Sequence, residues 1–204
     1  MLRGVTWRRA VVGFVQLALA AVLTAGHTVT PTNYVYPHYV LLILAHPLLV
    51  KRFLGLRLDP WQIAYISAAL FLHPFGGLFE LYETIWWFDH VTHTLSATLV
   101  AAIGYTLIRA WTVRTGGFPL AVPVGTFVVV MTGGHLWELL ELHVDWLTVY
   151  SYNDTYWDYV FNALGGLLVV VFGRFTLDAG ARQVAGAPNR AGSSGDGGPA
   201  SSVD

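Results

Sequence analysis

Apolar residues run along this chain in six long stretches, and the charges collect in the short segments between them. The stretches fall at residues 10–26, 34–50, 61–79, 90–108, 119–137 and 156–173. Each approaches the roughly 20 residues that a helix needs to cross a hydrocarbon core about 30 Å thick. The pattern therefore predicts an all-α protein, a polytopic bundle of six transmembrane helices. Pro60 opens the third stretch, where its missing N–H costs nothing. The first stretch follows Arg8 and Arg9 like a signal peptide, but no small-residue cleavage pattern with a soluble domain comes after it, so it reads as a helix. From residue 176 to residue 204 the chain turns to Gly, Ala, Ser and Pro, a composition expected to stay disordered. The expected domain division is 1–175 for the membrane bundle and 176–204 for the tail.

Composition agrees with the pattern. The chain is 55% hydrophobic and 11% charged, against about 25% charged in an average soluble domain. Cysteine is absent, which removes disulfides, thiolate metal sites and a cysteine nucleophile. No basic patch is interleaved with aromatics, so nucleic acid is excluded as a partner. The bilayer is the expected one, at the cell membrane in a multi-pass arrangement.

Charge position changes the picture further. Lys51 and the ten arginines fall in the loops on one side of the six stretches and in the two ends. The positive-inside rule then puts both termini in the cytoplasm. The opposite loops carry acids with no Lys or Arg among them. Trp86, Trp87, Trp137, Trp146, Tyr150, Tyr152, Trp157 and Tyr159 are expected to form the outer aromatic belt.

Three motifs meet at that outer edge: Asp89-His90-Val91-Thr92-His93, His135-Leu136-Trp137-Glu138-Leu139-Leu140-Glu141, and Asn153-Asp154-Thr155-Tyr156-Trp157-Asp158 with Asn162 one turn later. Residues three or four apart share a helix face. Asp89 is expected to point with His93, His135 with Glu138, Glu138 with Glu141, and Asp154 with Asp158. A carboxylate drawn below the interface is costly, and with no base to pair it the compensation falls to a proton, an imidazole or a bound cation. Carboxylate and imidazole together suit zinc, iron or manganese. The expected ligands are Asp89, His93, Asp154 and Asp158, with Glu138 and Glu141 for proton transfer. Glu80, His90, His135, Asn162 and His73 are expected as accessory residues. The alternative is that Asp89 and Asp154 only cap helices and the other acids face water.

The order of these pieces resembles the YjdF-like family of integral membrane proteins. The resemblance is carried by His73-Pro-Phe-Gly76-Gly-Leu-Phe-Glu-Leu-Tyr82, Asp89-x-x-x-His93, Glu138-x-x-Glu141 and Asp154-Thr155-x-x-Asp158, and it covers about residues 73–173. His90 stands where that family tends to have arginine, and Leu142 where it tends to have tryptophan. The last element is also similar to the final helix of VanZ-like membrane proteins. The resemblance implies that these residues form one unit, and it implies no reaction. Three functions stay open at this point: a divalent-metal-dependent enzyme acting on a lipid or other amphipathic substrate, a cation- or proton-coupled transporter, and a structural scaffold.

Overall fold

A computed structural model describes residues 2–29, 36–118, 120–143 and 152–186. The described residues form eight helices and no strand: α1 (Leu2–Val29), α2 (Tyr36–Leu54), α3 (Pro60–Leu78), α4 (Leu81–Thr84), α5 (Phe88–Thr115), α6 (Ala121–His143), α7 (Tyr152–Thr176) and α8 (Asp178–Ala185). The belt residues Trp146 and Tyr150, and tail residues 187–204, lie outside the described residues. Six helices coincide with the six apolar stretches. Three segments are long and apolar enough to cross a membrane: Trp7–Thr28, Phe88–Thr115 and Asp154–Thr176. Large apolar side chains such as Phe14, Leu48, Phe127 and Phe172 are exposed on the outside of the bundle, where lipid rather than water is the matching solvent.

The helices pack as two groups. Helices α1, α2 and α3 contact one another around Leu23, Ile43 and Leu78. Helices α5, α6 and α7 do the same around Ala101, Tyr105, Val130 and Val169. The groups meet where α3 lies against α5, and there Tyr65 hydrogen-bonds to Thr98 through their hydroxyls. Small residues permit the closest approach. A Cβ on Gly165 of α7 would lie 2.6 Å from the Thr94 carbonyl oxygen of α5, so the two backbones touch there as small-residue membrane interfaces do.

Local signals set the helix ends. The Asp59 N–H donates to Gln62 Oε1 at 2.9 Å, a side-chain cap at the start of α3. Helix α5 ends at Gly116 with φ +68, a left-handed stop that favours glycine.

Helix α8 corrects the expected tail. Residues 178–185 are helical and packed on α5, because the segment has partners far back in the chain. Asp178 accepts hydrogen bonds from Tyr105 at 2.7 Å and from Arg109 at 3.2 and 3.1 Å. Arg182 stands 3.7 Å from the same carboxylate. Arg114 donates to the Val184 and Ala185 carbonyls at the helix end. Burial alone would raise the Asp178 carboxyl, but the bonds from Arg109 and Tyr105 and the two guanidinium charges outweigh it and hold it below the usual carboxylate range.

Candidate functional site

The first two turns of α5 carry Asp89, His90 and His93. The start of α7 carries Asp158 and Asn162, one turn apart and both buried. The end of α6 brings Glu138, which is only 2% exposed. Since α5, α6 and α7 contact one another pairwise, these side chains converge. His93 Nε2 lies 3.4 Å from Asp89 Oδ1 and 3.5 Å from Asp158 Oδ1, so one imidazole bridges two carboxylates on different helices.

Two overlapping donor groups result. His93, Glu138 and Asp158 each offer one ligand atom, all within 4.8 Å of one another, and Asp89, His90 and Asp158 do the same. Donors around one zinc-sized ion at about 2.0–2.2 Å can lie no further apart than roughly 4.4 Å. The 4.8 Å bound on both groups is close to that limit. No lysine or arginine occurs in the chain between Arg57 and Arg109, or between Arg114 and Arg174. Among the described residues, imidazole is therefore the only basic group in the cluster.

Three polar atoms here are buried without a hydrogen-bond partner: Glu138 Oε1, Asp158 Oδ1 and His90 Nδ1. A buried polar atom left unpaired costs on the order of 1–3 kcal/mol, and more for a charged group. Most native structures avoid this. The three atoms belong to the two donor groups, which share Asp158. The His90 ring is held by stacking on Phe161, with centroids 4.4 Å apart.

The remaining expected residues divide. Glu141 is half-buried and accepts a 2.7 Å hydrogen bond from Trp137 Nε1. It sits one turn beyond Glu138, outside both donor groups. Asp154, half-buried one turn before Asp158, is also outside them. Asp89 is not the N-cap of α5; that position is Trp87, and Asp89 lies in the first turn. His135 does not share a face with Glu138. It is exposed, and its Nδ1 pairs with the Tyr159 hydroxyl at 2.7 Å. Glu80 does not join the cluster either. It is exposed, and it makes the turn between α3 and α4 with φ +53, a conformation that side chains rarely adopt.

Beside the cluster lies a cavity of about 310 Å³. Thr92, His93, Ser96 and Ala97 of α5 line it along one helix. Its walls come from Leu70 and His73 of α3 and from Val130, Gly133 and Trp137 of α6. His93 thus faces both the acids and the cavity. Asn162 reaches the same space because Gly134 has no side chain: a Cβ there would lie 2.7 Å from Asn162 Nδ2. His73 is held by Tyr82, whose hydroxyl is 2.7 Å from His73 Nδ1. Tyr82 in turn packs edge-on against Phe88, and both rings close over Gly76. Trp137, expected in the outer belt, is half-buried and lines the cavity instead. Thr92 and Ser96 were not foreseen, since hydroxyls in an apolar helix usually bond their own backbone. Thr92 does so, donating to the Asp89 carbonyl at 2.8 Å.

A helical bundle with apolar outer faces, bilayer-length helices and a buried polar centre defines an integral membrane protein. A family model described as "Predicted membrane protein (DUF2238)" matches residues 10–179, and the chain belongs to that family, the one its motifs resemble. No curated protein and no solved structure matches the chain, and the likeness of its last helix to VanZ-like proteins finds no support in these comparisons.

Proposed function

We propose that this protein is a divalent-metal-dependent membrane enzyme acting on a lipid or other amphipathic substrate at the outer face of the cell membrane. In this reading α1, α2, α3, α5, α6 and α7 all span the bilayer and both termini are cytoplasmic. His93, Glu138 and Asp158 would hold the ion, with Asp89 paired to His93 beside them. Asp154 supports Asp158 from the preceding turn. A divalent ion held there would supply Lewis acidity toward a carbonyl or phosphoryl oxygen and would acidify water. Glu141, one turn from Glu138, accepts the proton.

One observation carries the reading: the buried carboxylates of Glu138 and Asp158, each with one oxygen that has no hydrogen-bond partner, gather with His93 where no lysine or arginine is present. Zinc, iron and manganese all accept such carboxylate and imidazole donors. The test is elemental analysis of purified protein, followed by titration with Zn²⁺ and Mn²⁺. One equivalent of metal is expected in the wild type and a large loss in both His93→Ala and Asp158→Asn. A wild type that holds no stoichiometric metal in either measurement defeats the proposal.

A further inference from the structure

The cavity beside the cluster combines features that together name the kind of molecule it takes. It lies between α3 and α6 on the face of α5, and its mouth includes Ser96 and Val100, both exposed on the outside of the bundle. Its way in is therefore sideways, from the level of the lipid chains. Its walls are apolar along most of their length, through Ala69, Leu70, Ala97 and Val130. Its polar lining comes from three helices, with His73 on α3, Thr92 and His93 on α5 and Asn162 on α7.

Size narrows the choice. The volume of about 310 Å³ is at the lower limit of ligand pockets, which run from about 300 to 1,000 Å³. One hydrocarbon chain fits that space and two do not. The polar lining narrows it again. Tyr82 occupies His73 Nδ1, so Nε2 is the atom left to meet a ligand. His73 and Asn162 come from helices other than that of His93, and imidazole and amide N–H groups are donors that suit an oxyanion.

We propose that this cavity binds a single-chain amphiphile with an oxyanion head, phosphate or carboxylate, entering from the bilayer between α3 and α6. The chain lies against Ala97, Val130 and Gly133, and the head sits between His73 and His93. The inference rests on the enzyme reading above, and names the substrate class of that same site. His73 is the head-positioning residue, held in place by Tyr82.

The test uses the full chain in lipid nanodiscs, with dodecyl phosphate, dodecanoate and dodecyltrimethylammonium as probes, and native mass spectrometry to count bound molecules. Saturable one-to-one binding is expected for an anionic probe, the better of phosphate and carboxylate identifying the head. Gly133→Leu fills the cavity and is expected to weaken binding at least tenfold. Ser96→Trp, at an exposed position that tolerates bulk, blocks the mouth and serves the same purpose should the glycine variant not fold. His73→Ala is expected to weaken the anionic probes several-fold while the melting temperature holds. Binding unchanged in a folded Gly133→Leu or Ser96→Trp protein, or preference for the cationic probe, overturns the proposal. Metal content measured on the same samples separates the two ideas: one-to-one chain binding by a protein that takes up no metal defeats the enzyme reading and leaves the cavity assignment standing.

Discussion

Glu138 shows how much a single side chain can disclose. It is buried, one oxygen has no partner, and Thr155 is the hydroxyl that bonds the carboxylate. A charge kept in such a place is costly unless something compensates it. Glu138→Gln keeps the shape and removes the charge. The metal-free variant is expected to melt at or above the wild-type temperature, while metal affinity falls by at least about tenfold. Parallel melting curves and metal titrations decide it, and a variant that loses stability yet keeps its metal argues for a structural role. Asp89 and His93 were legible because residues four apart on a helix almost overlie one another. His135 and Glu138, three apart, diverge by about 60°. In a tight bundle that angle separates an exposed ring paired with Tyr159 from a buried carboxylate. Glu80 could not be read from spacing, because its left-handed turn breaks the helical register.

At the level of elements, α8 is the part that sequence reading misses. Its eight residues include one glycine, Gly180, and one fully buried alanine, Ala181. What makes it a helix is a carboxylate that finds Arg109 and Tyr105 on α5, about 70 positions earlier in the chain. The apolar helices needed no such information, since their periodic burial is replaced by a continuous run suited to lipid. The Asp178 contact makes a pH prediction. Its folded-state carboxyl titrates below the ordinary 3.8, so its stabilisation is complete above the unfolded-state value. It is lost as pH falls through the depressed one. Asp178→Asn is expected to lower stability by about 1–2 kcal/mol near neutral pH, for a partly exposed charge-assisted contact. The gap between variant and wild type closes below about pH 4. Thermal melting of both proteins across pH 3–7 reads it.

Across the whole molecule, charge placement and packing describe the same object. Arginines border the end that carries α8, and Asp89, His93, Glu138 and Asp158 gather at the opposite ends of α5, α6 and α7. The absence of cysteine makes the arrangement measurable, since any introduced thiol is the sole one. Glu83→Cys is expected to react with a membrane-impermeant maleimide added to intact cells. Thr115→Cys is expected to react only after permeabilisation. Labelling of both from the same side removes the six-span topology. The sequence foretold the membrane class from its apolar runs alone. The cavity was out of its reach, because a void is made by side chains that are absent, such as those of Gly133 and Gly134.

Gly76 carries the last consequence. It has no side chain, yet a single carbon added to it would strike the Phe88 ring at 2.3 Å and the Tyr82 ring at 2.6 Å. Those rings steady the imidazole of His73. A random search for inactive variants would therefore place this chemically silent position beside the carboxylates, and a reader sorting hits by reactivity alone would have no reason to keep it.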